Sequence, residues 1–233
     1  MKKLILKEYA AYIDHSSLLP TDNKKTIEDT CAESIENGYA CVCIVPSTLA
    51  WTAEYLKRHN SDINISSAIA FPHGTTTTES KVFEAVQSCR MGANEIDMVM
   101  CVNQAKEGNW PYIEQEIFSV KKAILKVRSD AVLKVIVETC LLDRHEKTAA
   151  CETCIKAGAD YIKTSSGFST GGATVEDIKL FNQISQGQIK IKASGGIKTA
   201  ESFLAMIDAG AERIGTKFSK SILSELIQLN EIC

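Results

Sequence analysis

Three lysines sit inside apolar, strand-like runs. Lys134 lies in Val132-Leu-Lys-Val-Ile-Val137, Lys163 in Ala159-Asp-Tyr-Ile-Lys-Thr164 and Lys192 in Ile189-Lys-Ile-Lys-Ala193. Their separations are equal, 163 − 134 = 29 and 192 − 163 = 29 residues. An ammonium carried into a core must be paired or neutralised. Three of them, each one strand-helix unit apart, predict neighbouring strands that aim lysines at one shared place. Crowded ammonium groups depress each other's pKa, and an amine that is neutral near pH 7 is a nucleophile. The plain alternative is a set of strand-end lysines whose stems snorkel to solvent.

Further polar residues stand where such strands end: Asp14, Cys43, Asp97, Glu138, Thr164 and Ser194. Asp97, in Asn94-Glu-Ile-Asp-Met98, must be paired or protonated, and facing the lysines it is placed to accept and return a proton. Glu95 alternates with it and is expected on the same face. Lys192 is followed by Ser194-Gly195-Gly196, and the next strand-like run ends in Gly215-Thr216. Two glycine-bearing loops in succession suit a phosphate, which backbone N–H groups and a helix N-terminus can hold. Their bland role is to make tight turns. His15 and His73 fall in loop-like stretches and are left structural.

The elements that must position these residues alternate along the chain. A short N-terminal helix precedes strand 12–14. Helix Thr26–Asn37, begun by Thr26 and ended by Gly38, leads to strand 40–45 and a helix from Ser47 to about Arg58. Strand 65–70 precedes helix 78–91, closed by Gly92, and strand 95–100 precedes a long helix from about Pro111 to Val127. Then come strand 132–137, helix 144–157, strand 161–164, helix 175–184, strand 189–193, helix 200–209, strand 213–216 and a final helix running toward Cys233. Ala-Gly-Ala-Asp/Glu recurs at Ala157–Asp160 and Ala209–Glu212, each time closing a helix and launching a strand. Short β-branched strands in this alternation predict parallel strands covered by helices. Eight such units in 233 residues predict an α/β fold, one (β/α)₈ TIM barrel over residues 1–233. A doubly wound open sheet is the rival, weakened because the first strand-turn-helix lacks Gly-x-Gly-x-x-Gly. In a barrel the site lies at the C-terminal strand ends, with phosphate commonly held after strands seven and eight.

Composition excludes other classes. The chain is 45% hydrophobic and 24% charged, an ordinary globular balance, and its net charge of −3 does not suit a nucleic-acid partner. No apolar run has the ~18–20 residues of a membrane span. Met1-Lys-Lys-Leu-Ile-Leu-Lys7 has too short an apolar stretch for a secretory signal, so a cytoplasmic location is expected. The nine cysteines are scattered over strand-like and helical segments. Cys151-x-x-Cys154 has ligand spacing, but no second pair or histidine cluster completes a site, so free thiols and no metal are expected.

Taken together, Tyr161-Ile-Lys-Thr-Ser-Ser-Gly167, Ile191-Lys-Ala-Ser-Gly-Gly-Ile-Lys198, Glu95-Ile-Asp-Met98 and Leu133-Lys-Val-Ile-Val-Glu-Thr139 resemble the deoxyribose-phosphate aldolase family. Ile13-Asp-His-Ser-Ser-Leu18, Cys43-Ile-Val-Pro46 and Phe71-Pro-His-Gly74 share the resemblance, which runs in order from about residue 12 to 216. It implies a class I aldolase without metal or other cofactor, acting on a phosphorylated sugar and aldehydes. It implies that Lys163 forms the imine, that Lys192 keeps it neutral, and that Asp97 with Lys134 relays protons. Cys43 matches a cysteine near the substrate. Asp14, Ser16 and Leu18 match a loop contacting the sugar, and Thr164 belongs to the substrate-binding set. Gly167, Gly195, Gly196, Gly215 and Thr216 match phosphate-loop positions.

One departure stands out. Members of the family usually carry a Ser-rich turn after Gly215-Thr216, whereas this chain reads Lys217-Phe218-Ser219-Lys220. Lys217 is expected to bind phosphate by charge, while Phe218 can crowd the pocket. The chain ends Glu231-Ile-Cys233, without the tail tyrosine of some members. A homo-oligomer, with a dimer favoured, is expected from the barrel class. Two other readings remain at this point: another imine-forming lyase or isomerase of phosphorylated sugars, and a phosphosugar-binding barrel without catalysis.

Overall fold

The computed structural model describes residues 6–229; residues 230–233, where the expectation about the tail falls, lie outside them. A short helix, α1 (Leu6–Ala10), precedes eight parallel strands: β1 (Ile13–Ser17), β2 (Cys41–Ile44), β3 (Asn64–Ile69), β4 (Glu95–Val99), β5 (Val132–Ile136), β6 (Tyr161–Lys163), β7 (Lys190–Ser194) and β8 (Arg213–Thr216). They pair in chain order, and β1 closes on β8. Between them run α2 (Lys24–Asn37), α3 (Leu49–Arg58), α4 (Thr78–Arg90), α5 (Val102–Lys106), α6 (Trp110–Val127), α7 (Arg144–Lys156), α8 (Val175–Ser185), α9 (Ala200–Ala209) and, after β8, α10 (Ser219–Gln228). This is the expected (β/α)₈ barrel. No helix among the described residues is long and apolar enough to cross a membrane.

Boundaries differ where local capping decides them. Asn23, not Thr26, starts α2, because its side chain accepts from the Thr26 N–H at 3.1 Å. Pro46–Thr48 form a tight 3₁₀ turn before α3, and the five-residue α5 was not anticipated. Strand β1 runs on to Ser17, so His15 and Ser16 lie in a strand rather than a loop. Strand β6 stops at Lys163, which leaves Thr164 just beyond it.

The two faces of the barrel wall have opposite characters. Ile13, Val42, Ile65, Ile96, Leu133, Ile162, Ile191 and Ile214 alternate outward and join one apolar layer with the helices. The intervening inward positions carry Asp14, Cys43, Ser66, Asp97, Lys134, Lys163, Lys192 and Arg213. Barrel interiors are ordinarily filled by branched apolar side chains. Here hydrophobic burial comes from the outer layer, and the interior is given over to charge.

One buried ion pair belongs to that outer layer. Lys81 on α4 lies 2.7 Å from Glu116 on α6, and both are fully buried. Lys81 also donates to the Val99 carbonyl at 2.9 Å, and Glu116 accepts from the Cys101 N–H at 3.1 Å. The pair therefore ties two helices to the end of β4. Removing one partner leaves an uncompensated buried charge. We expect Lys81→Met to destabilise the protein by about 3–5 kcal/mol, read from urea unfolding, and a Lys81→Met/Glu116→Leu double variant to recover most of it.

Candidate active site

The alternation of β1, β4, β5, β6, β7 and β8 brings seven charged side chains into one cluster. Lys163 and Lys192 both donate to the same oxygen, Asp97 Oδ2, at 2.7 Å each. Lys134 reaches Asp97 Oδ1 at 3.0 Å and Asp14 at 2.9 Å, and also pairs with Glu95. Lys192 pairs with Asp14 as well. Arg213 closes the set, 2.6 Å from Asp14 and 3.4 Å from Glu95. Ser66 donates to Asp97 at 2.7 Å, and the Cys43 thiol lies 3.8 Å from it.

Register explains the convergence: Asp97 faces Lys134 across β4 and β5, and Lys163 faces Lys192, which faces Arg213, across β6, β7 and β8. Gly215, two residues after Arg213, makes room for a long side chain. A Cβ there would come within 2.9 Å of the Ser194 Cβ and 3.2 Å of the Lys192 Cε. Gly215 and Thr216 end β8, as the expected strand 213–216 has it, so of the two glycine-bearing stretches expected as phosphate loops only Gly195-Gly196 lies beyond its strand.

The electrostatics correct a second expectation. Crowding was expected to depress the lysines together. Burial does push Lys134 and Lys192 down, but Asp14 and Asp97 outweigh it and hold both ammonium groups above their ordinary range. Burial likewise pushes Asp97 up, and Lys134, Lys163 and Lys192 overcome it, keeping the carboxyl well below its usual range. Asp14 is held down in the same way by Lys134, Lys192 and Arg213. Asp14, Cys41 and Glu95 bring ligand-type atoms within 4.8 Å of one another, yet Lys134 and Arg213 already supply positive charge there.

A cavity of about 470 Å³ opens above the cluster at the C-terminal strand ends. Ser16, Leu18, Lys163, Gly167, Gly195, Gly196, Gly215, Thr216, Lys217 and Phe218 line it. Of the three spaced lysines, Lys163 alone reaches it. Asp14, Cys43, Asp97, Lys134 and Lys192 lie beneath, each fully buried. Thr164 is also fully buried; its hydroxyl donates to the Ser194 carbonyl and accepts from the Ser194 N–H, both at 3.1 Å, so it braces β6 against β7. Gly195 has φ +84 and packs on Gly172, where an added Cβ would meet the Gly195 oxygen at 2.3 Å. Lys217 and Lys198 flank Phe218 with their ammonium groups 5.5 and 5.8 Å from its ring centre.

Two contributors were not singled out from the sequence, and a third was named without a role. Arg213 was read only as the start of a strand, although counting inward from Gly215 by twos places it in the cluster. Ser66 gave no signal among neighbouring serines. Glu138 was noted at a strand end without a role. It takes a left-handed backbone (φ +55) and its carboxylate accepts from the Ser166 N–H at 3.2 Å and from the Ser166 hydroxyl, fixing the turn after Lys163.

A profile of the DeoC/LacD family aldolases matches residues 9–218, and the chain belongs to that family. The deoxyribose-phosphate aldolase of Thermococcus gammatolerans is 45% identical over 209 residues, 90% of this chain and 92% of that protein. The deoxyribose-phosphate aldolase of a Thermoanaerobacter species (strain X514) is 46% identical over 216 residues, 93% and 96% of the two chains. Among solved structures, QR15, an aldolase, superposes with a TM-score of 0.87 at 37% identity, covering 95% of this chain and 97% of the other. The deoxyribose phosphate aldolase of Aeropyrum pernix, described as a unique tetrameric structure, gives 0.88 at 26% identity, with 96% and 93% covered.

The buried thiol beside Asp97 has a checkable chemistry. Burial, then the Asp97 charge, pushes Cys43 above its ordinary pKa, so it stays protonated and unreactive at neutral pH. Cys140 is the exposed cysteine among the described residues. Iodoacetamide at pH 8 is expected to label Cys140 well before Cys43, as peptide mass mapping will show.

Proposed function

We propose that the protein reversibly cleaves 2-deoxy-D-ribose 5-phosphate to acetaldehyde and D-glyceraldehyde 3-phosphate through an imine on Lys163. The observation that carries the reading is that Lys163 both bonds into the buried ionic cluster and lines the open cavity. A carbonyl compound in the cavity meets this amine and none of the other clustered cations.

Charge balance favours the same residue. Lys134, Lys163, Lys192 and Arg213 make four cations, and Asp14, Glu95 and Asp97 make three carboxylates, so 4 − 3 leaves one excess positive charge. When Lys163, the lysine of the cluster that lines the cavity, gives up a proton to act as the nucleophile, three cations remain opposite three carboxylates. The Lys163 lone pair attacks the C1 aldehyde of the open-chain sugar, giving a carbinolamine, and loss of water gives the protonated imine. That cation draws in the electrons of the C2–C3 bond. The C3 hydroxyl gives up its proton, D-glyceraldehyde 3-phosphate departs, and an enamine remains on Lys163. Protonation at C2 and addition of water release acetaldehyde and restore the amine. Asp97, shared by Lys163 and Lys192, aligns the amine and stabilises the cationic imine, while Lys192 and water move protons between carbon and oxygen.

The phosphate is placed against Gly167, Gly195, Gly196 and Lys217, with Ser16 and Leu18 on the sugar side. A phosphorylated substrate accords with a cytoplasmic location, since such anions do not cross membranes unaided. A homo-oligomer is part of the same reading. Its support is the apolar surface at Phe83 on α4 and Phe118 on α6, exposed on helices that pack side by side.

Borohydride treatment in the presence of deoxyribose 5-phosphate or acetaldehyde is expected to leave one adduct, which digestion places on Lys163. No adduct with either compound would return the protein to a binding role. An adduct formed only with other phosphorylated sugars would point to a different imine enzyme. Lys163→Ala is expected to lower kcat/KM by roughly 10⁴-fold or more with the fold intact. Lys217→Ala is expected to raise KM for deoxyribose 5-phosphate about tenfold, the worth of one charge-assisted contact, with little change for unphosphorylated deoxyribose. Equal effects on both sugars would remove Lys217 from the phosphate site.

A further inference from the structure

The outward face of β1 is apolar at Ile13 but carries an imidazole at His15, 6% exposed. Its Nδ1 lies 2.7 Å from the hydroxyl of Ser219, itself fully buried. Its Nε2 lies 3.6 Å from Glu33 on α2, and the ring tilts against Tyr39 with centres 5.3 Å apart. The Tyr39 hydroxyl in turn donates to Glu33 at 3.1 Å. A polar group set into an apolar layer costs stability unless it finds partners, and here Nδ1 is bonded to Ser219 while Glu33, itself bonded to Tyr39, stands 3.6 Å from Nε2, a chain of polar contacts across the layer.

That chain ends at a particular place. Ser219 is the first residue of α10 and directly follows Lys217-Phe218, the pair that walls the cavity. The other end of the pair is held by Thr216, whose hydroxyl donates to the Ile197 carbonyl at 2.8 Å and accepts from the Phe218 N–H at 3.0 Å. Thr216 is also the β8 residue in register with His15. Lys217 and Phe218 are therefore pinned on both sides, and His15 is the pin that comes from the outer face of β1.

We propose that His15, acting through Ser219, is a positioning residue for the anion-binding side of the cavity. It touches no substrate. It fixes where α10 begins, and so where Lys217 and Phe218 stand. Apolar packing at this position would fill the same volume but leave the start of α10 free to slide. The inference rests on the reading that the phosphate binds at this end of the cavity, against the turn from Thr216 to Phe218, whichever of its groups makes the contact.

The test compares two sugars. Ser219→Ala removes one buried hydroxyl and keeps the packing. We expect KM for deoxyribose 5-phosphate to rise about tenfold, the scale of one lost hydrogen bond, with kcat for it and kcat/KM for unphosphorylated deoxyribose within about twofold of wild type. His15→Asn, which keeps a polar group where Nδ1 stood, should retain more of the discrimination between the sugars than His15→Leu. Equal losses on both sugars, or no loss on either, would overturn the proposal. Lys217→Ala run in parallel separates the two claims. If it discriminates and Ser219→Ala does not, only the positioning role fails. If Ser219→Ala discriminates and Lys217→Ala does not, the positioning role stands and the Lys217 assignment falls.

Discussion

A single carboxylate oxygen, Asp97 Oδ2, accepts hydrogen bonds from two lysines at once. Its partner oxygen meets a third lysine and a serine. Four strands beyond its own, β3, β5, β6 and β7, are tied to this one side chain. The arrangement fixes the separation of Lys163 and Lys192 more tightly than backbone register alone, because both nitrogens must approach the same atom. It also accounts for the inverted character of the barrel. Once Asp97 is buried and ionised, neighbouring strands must supply cations, those cations call for Asp14 and Glu95, and the layer fills with charge instead of branched carbon.

Buried ion pairs rarely repay their desolvation in full. Stability has to come from elsewhere, and it does: the strand residues that alternate outward form one continuous apolar layer with the helices. The wall is a thin partition between an oily jacket and an ionic centre. Separating the two lets the centre be arranged for chemistry while the jacket supplies the free energy of folding, as expected of sites whose geometry is strained or costly.

Much of this was legible in the sequence because the signals were local and periodic. Strand-helix alternation gave the barrel, and lysines at strand spacing gave the cluster. Asp97 and Glu95 followed from alternation within Asn94-Glu-Ile-Asp-Met98. What escaped depended on three-dimensional partners. Alternation from Gly215 does turn Arg213 inward, but an arginine that opens a strand reads equally as one whose head reaches solvent, and only its partners Asp14 and Glu95 decide the matter. The lysines were expected to depress one another although Asp97 was expected to face them, because the sequence does not show how closely Asp14 and Asp97 approach each ammonium group. Thr164 reads as a polar group beside the nucleophile, but its hydroxyl is consumed by the backbone of Ser194. His15 read as a loop residue because Tyr12-Ile-Asp14 already completed a short strand, and its partner Ser219 is 204 positions away.

Toward the C-terminal strand ends the cluster opens through Lys163. Asp14, Asp97, Lys134 and Lys192 are sealed from solvent, and the cavity over Lys163 is a way in. When a sugar fills that cavity it covers the side from which bulk water reaches Lys163. Hydrogen exchange between that amine and bulk water then slows. The hydrogen that leaves an oxygen during bond cleavage and the one that arrives on carbon afterwards then come largely from the groups around Lys163. The barrel wall that excludes water from the ions thereby sets a boundary condition on isotope traffic through the reaction.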